Sequence, residues 1–157
     1  MKIKLIAIGK TDEPYLTEGM KSYENRIRRY IPLEVVEIPG LRNASKLSKE
    51  EWKSKEAVKI MSLLTKQDII ILLDEKGKEM GSVEFSSFLN QKFSSGSKNL
   101  IFIIGGPYGF DEVVRKRAHF SLSLSQMTFS HQMVRLFFLE QLYRALTILR
   151  NEAYHHD

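Results

Sequence analysis

The sequence predicts an α/β protein, a mostly parallel five- or six-stranded sheet with helices on both faces, and three observations carry that prediction. Five short apolar runs recur along the chain, separated by longer stretches with helical spacing. Two of the runs, Asp68 to Leu73 and Leu100 to Ile104, are continuously apolar and bounded by turn residues, as strands covered on both faces are. The intervening stretches are long enough for helical crossovers, which parallel strands require. A length of 157 residues fits one domain, spanning 1–157, with a single core.

The elements follow in order. Ile3 to Ile8 reads as the first strand and Tyr15 to Arg29 as a helix, whose Arg26, Arg28 and Arg29 suit the negative end of its dipole. Pro32 marks the break before a second strand, Leu33 to Ile38, closed by Pro39 and Gly40. Leu41 to Ser48 is polar and predicts a mobile loop. Ser48 and Glu51 have capping-box spacing at the head of a helix running to about Thr65, with Trp52, Ala57, Ile60, Met61 and Leu64 available for burial. The third strand, Asp68 to Leu73, ends at Asp74-Glu75-Lys76-Gly77. A helix from about Ser82 to Lys92 leads through Ser94-Ser95-Gly96-Ser97 into Leu100 to Ile104. Asp111 caps a short helix to about Arg117, His119 to Leu124 is the fifth strand, and Ser130 or His131 opens a last helix ending near Arg150.

Composition bounds the chemistry. Without cysteine there are no disulfides, thiolate nucleophiles or Cys-based metal sites. The charge of +5 mildly favours a polyanionic partner. No apolar run approaches the roughly 18 residues that span a membrane, and Met1 to Ile8 is unlike a signal peptide, so a cytoplasmic protein is expected.

In open parallel sheets ligands sit outside the carboxyl ends of the strands, which directs attention to the loops after Leu73, Ile104 and Leu124. The Gly105-Gly106-Pro107-Tyr108-Gly109 loop lets backbone approach a ligand, although it serves equally as a tight turn and has neither dinucleotide-fingerprint spacing nor a phosphate-loop lysine. Ser125 to Ser130 offers hydroxyls and amides beside Met127 and Phe129, a mixture suited to a purine and sugar, or simply a polar loop capping a helix. The last helix is apolar on more than one side, through Val134, Leu136, Phe137, Phe138, Leu139 and Leu142, which suggests a partner subunit. Arg144 lies four residues after Glu140 and can simply pair with it. His131, His155 and His156 lack the fixed spacing of a metal site, so no metal is expected. The terminal Tyr154-His155-His156 fits either a frayed tail or a base-stacking contact with RNA.

The segments Leu72-Leu73-Asp74-Glu75-Lys76-Gly77-Lys78, Ile103-Ile104-Gly105-Gly106, Leu122 to Gln132, Glu140 to Ala145 and Tyr154-His155-His156, with Lys4 to Lys10, together resemble the RlmH family along the whole chain. These are pseudouridine N3-methyltransferases of large-subunit (23S) ribosomal RNA. The resemblance implies a SPOUT-type fold with a C-terminal trefoil knot, a homodimer, and S-adenosylmethionine held by Leu73, Gly105, Leu124, Ser125, Gln126, Met127, Thr128 and Phe129. It also implies that the substrate is ribosomal RNA within the ribosome. His155 or Tyr154 is expected to assist departure of the imide proton, and Arg135 or Arg144 to stabilise the developing anion. The family usually has proline where Ser130 stands, so altered loop rigidity is expected. The competing readings are a related SPOUT enzyme with another target, a non-catalytic ribosome assembly factor and a generic nucleotide-binding module.

Overall fold

The computed structural model describes residues 1–156; Asp157, the end of the tail expected to meet RNA, lies outside them. Five strands form one sheet: β1 (Lys2–Ile8), β2 (Leu33–Ile38), β3 (Asp68–Glu79), β4 (Asn99–Ile104) and β5 (Phe120–Ser123), in the order β2-β1-β4-β3-β5. Every pairing is parallel, from Leu5 between Val35 and Phe102 to Leu73 between Ile104 and Leu122.

The strands alternate their side chains between two helical layers, which explains their continuous apolarity. Ile3, Leu5, Ile71, Leu100 and Phe102 face one layer, made by α1 (Pro14–Ile27), α3 (Ser82–Phe93) and α5 (Met133–Leu149). Ile6, Ile8, Ile70, Leu72, Ile101 and Ile103 face the other, made by α2 (Lys49–Ser62) and the short α4 (Glu112–Arg117). Phe138 of α5 meets Phe102 of β4 at 4.6 Å between ring centroids and anchors the last helix to the centre of the sheet.

Local chemistry sets the boundaries. Ser48 Oγ accepts from the Glu51 amide at 3.1 Å and Asp111 Oδ1 from the Val113 amide at 2.9 Å, as their positions anticipate. The loop before α2 contains a 3-10 turn at Ala44–Lys46. Arg135 ties the start of α5 to the carboxyl end of β1: it donates to the carbonyls of Ile8 at 2.7 Å, Gly9 at 2.9 Å and His131 at 3.1 Å, and to Thr11 Oγ1 at 2.8 Å.

The largest departure from the sequence reading is in β3, which does not end at Leu73. Residues 74–77 arch away and the strand resumes, so that Leu122 of β5 pairs with both Leu73 and Lys78. Gly77 makes this re-entry possible, because a Cβ there would stand 2.7 Å from the Ser121 carbonyl. A charged, glycine-containing segment reads as the end of a strand, and only its tertiary pairing shows it to be a bulge.

Candidate active site

The carboxyl ends of β3, β4 and β5 open into a cleft of about 650 Å³. Leu73, Ile104, Leu122 and Leu124 supply its apolar part, Gly105 and Gly106 present backbone, and Ser125, Thr128 and Phe129 close it from the loop after β5. That mixture fits a nucleoside-sized ligand with an apolar body and polar edges. Gly105 cannot carry a side chain without pressing on Phe110, whose ring would lie 3.1 Å from the added carbon.

The loop after β5 holds its shape through its own hydroxyls. Ser123 Oγ donates to the Ser125 carbonyl at 2.9 Å, and Ser125 Oγ accepts from the Met127 amide at 2.9 Å. Ser130 Oγ accepts from the amides of Gln132 at 3.3 Å and Met133 at 3.4 Å, so the serine satisfies the first free donors of α5. Across the cleft, Thr128 Oγ1 donates to Glu75 at 2.8 Å, linking the loop to the arch of β3. Asp74 on the same arch pairs with Arg115 of α4 at 2.8 Å.

Six of the eight residues expected at a cofactor, Leu73, Gly105, Leu124, Ser125, Thr128 and Phe129, meet in this one cleft. Gln126 and Met127 turn the other way, into a separate depression beside Glu79, Met80 and Gly81, and Met127 is 79% exposed. The expected catalytic residues lie elsewhere. Arg135 is fully buried and its donors are taken by the four oxygens that position α5, so it does not face the cleft.

Arg144, Tyr154 and His155 do come together, around Glu140. Glu140 Oε1 accepts from Arg144 Nε at 3.1 Å and from the Tyr154 hydroxyl at 3.0 Å, while Arg144 Nη1 stands 3.3 Å from His155 Nδ1. The Arg144 guanidinium lies over the Tyr154 ring at 4.8 Å, and Tyr154 meets Tyr143 edge-on at 4.7 Å. Burial, with hydrogen bonds involving Tyr23 and Glu140, pushes the Tyr154 phenol well above its ordinary range, which counts against Tyr154 as a proton acceptor. The tail is therefore folded onto α1 and α5 rather than frayed.

This cluster does not line the cleft. Val134 lines it, and Arg144 stands ten residues later on α5, about 15 Å along a helix that rises roughly 1.5 Å per residue. The fold also brings to the cleft Lys49, Lys53 and Arg115, which the sequence did not single out, and Asp74, Glu75 and Tyr108, which it marked only as members of loops at the strand ends. Asp74 and Glu75 carried a signal as charges directly following an apolar strand, whereas α2 had no sequence feature pointing to a ligand.

A parallel sheet with its cleft at the strand ends, closed by the loop after the last strand, agrees with a sequence model described as "Predicted SPOUT methyltransferase", which matches residues 1–155. The chain belongs to the SPOUT methyltransferase family. Among curated proteins it is 52% identical to ribosomal RNA large subunit methyltransferase H of Parabacteroides distasonis, with both chains covered completely. It is 54% identical to the protein of that name from Flavobacterium johnsoniae, again over the full length of both, and 53% identical to that from Christiangramia forsetii over 99% of each chain.

Proposed function

We propose that this protein is an S-adenosylmethionine-dependent methyltransferase acting on N3 of a pseudouridine in 23S ribosomal RNA, as a homodimer and on assembled ribosomes in the cytoplasm. The observation that carries the reading is the convergence of Leu73, Gly105, Leu124, Ser125, Thr128 and Phe129 on one cleft, in a chain that shares about half its residues with full-length large-subunit methyltransferases. No helix among the described residues is long and apolar enough to cross a membrane.

S-adenosylmethionine, when bound, supplies an electrophilic methyl group carried on a sulfonium. The chain provides position and charge. Leu73, Gly105 and the loop from Leu124 to Phe129 hold the donor, with Gln126 and Met127 shaping the loop from its outer side. Arg144 supplies the positive charge that favours an imide anion at N3, and His155 beside it is the candidate for accepting the imide proton. Glu140 fixes Arg144 and Tyr154 in place, and Arg135 is a positioning residue that sets the angle of α5.

Because the Arg144 cluster lies about 15 Å along α5 from the cleft, the proton acceptor and the donor meet only when the tail of a second copy reaches this chain's cleft. The exposed Met133 and Phe137, with Phe129 stacked on Phe137 at 5.0 Å, form an apolar surface at the cleft mouth for such a contact. The reading also includes the trefoil knot of the family.

Incubating ribosomes that lack the modification with labelled S-adenosylmethionine tests the reading. Label is expected at N3 of one pseudouridine in 23S RNA, with poor transfer to protein-free RNA. Transfer to a ribose, to transfer RNA, or equally to free and assembled RNA would contradict it.

A further inference from the structure

Beneath the glycine loop lies a carboxyl that the reading above does not use. Glu56, in the middle of α2, is 3% exposed, and its Oε1 is buried without a hydrogen-bond partner. One helical turn earlier the indole Nε1 of Trp52 is in the same condition. Two buried polar groups on one helix face with only each other as a candidate partner, and no well-aligned hydrogen bond between them, are uncommon in folded proteins, because an apolar side chain of similar size is more stable there.

Both residues face the same short loop. The Glu56 carboxyl occupies the space where a side chain at Gly106 would stand, so any side chain there would have to displace it. The Trp52 ring meets Tyr108 edge-on at 5.3 Å and 89°. Gly106 and Tyr108 line the cofactor cleft, whereas Glu56 and Trp52 stand behind them. Burial pushes the Glu56 carboxyl above the usual carboxylate range, opposed by Trp52 and by Lys59 on its own helix, so its neutral form is favoured relative to an exposed glutamate.

We propose that Glu56 is a positioning residue for the methyl donor: its carboxyl, paired in function with the Trp52 indole, holds the Gly105–Gly106 backbone in the shape that receives the donor, at a cost to the stability of the fold. The inference rests on the assignment of S-adenosylmethionine to this cleft. It separates Glu56 from a residue that merely fills space, since polarity at this position should help binding and hurt stability.

Trp52 is the only tryptophan of the chain, so its fluorescence reports on the loop directly. Titrating full-length protein with S-adenosylmethionine should change the emission of the wild type. Glu56→Gln, which keeps the shape of a neutral acid, should bind within about two-fold of it, while Glu56→Leu should bind about ten-fold more weakly or worse. Glu56→Leu should melt no lower than wild type. Wild-type affinity in Glu56→Leu would overturn the inference. So would melting far below wild type in both Glu56→Leu and Glu56→Met, because the carboxyl would then be a structural filler. If the wild type itself gave no response and calorimetry found no binding, the cofactor assignment would fail instead.

Discussion

The cleft at the strand ends and the cluster at the far end of α5 are built in opposite ways. The cleft is open, lined by glycine backbone and apolar strand ends, and bordered by a loop held by serine hydroxyls. The cluster is closed: Glu140, Arg144, Tyr154 and His155 bond to one another, and Tyr23, Tyr143 and Arg26 pack around them. One has room for a ligand among side chains such as Lys53, Glu75 and Arg115, and the other has its charged groups bonded to one another. Under the proposed function, this difference separates donor binding from proton chemistry along a single helix, and a second chain is what would reunite them.

Arg135 joins the cleft region to the rest of the fold, and its loss should have the largest effect. Arg135→Met leaves the Ile8, Gly9 and His131 carbonyls without their buried donor and should cost about 3–5 kcal/mol in chemical denaturation. At the cluster, Arg144→Ala should lower single-turnover methylation by about 100-fold, the scale of losing one anion-stabilising donor, while donor affinity in calorimetry stays near wild type. Loss of donor binding would put the cluster back in the cleft. On the cleft side, Ser130→Ala should destabilise the protein by about 1 kcal/mol through the lost cap of α5, read as a small drop in melting temperature.

The smallest expected effect concerns pH. His119 Nδ1 accepts from the Ile70 amide at 3.0 Å and so must be unprotonated, and burial followed by the charges of Arg117 and Lys92 lowers its folded pKa. The unfolded chain then binds this proton more readily than the folded one, so the contribution is complete above about pH 6.5 and declines as pH falls below it. His119→Asn, with a carbonyl in place of the acceptor nitrogen, should flatten that decline in denaturation curves recorded across this range.

The fold was legible in the sequence wherever one segment decided its own fate. Ile3 to Ile8 and Leu100 to Ile104, with few or no polar residues, became central strands, and Leu33 to Ile38, with Glu34 and Glu37, became an edge strand. Ser48 and Asp111 announced their helices. Legibility failed where distant segments decide together. The arch at 74–77 exists because β5 pairs on either side of it, and Gly77 alone carries no sign of that. Six residues of the cleft were reached through the loops that carry the family resemblance, but Glu56 and Trp52 read as part of an ordinary amphipathic helix. The spacing of Glu140 and Arg144 already offered their pairing, whereas only packing shows that Arg135 is a buried anchor.

The central claim, that the cleft of one copy works with the tail of another, is tested most directly by mixing two inactive variants. A cleft variant, Gly106→Ala, and a tail variant, Arg144→Ala, are unfolded together, refolded as a random mixture and assayed on unmodified ribosomes. Half of the dimers then contain one of each, and each such dimer has one site with an intact cleft and an intact tail. The account predicts recovery of about a quarter of wild-type activity, as two-fold symmetry requires. A mixture no more active than its two components would contradict it.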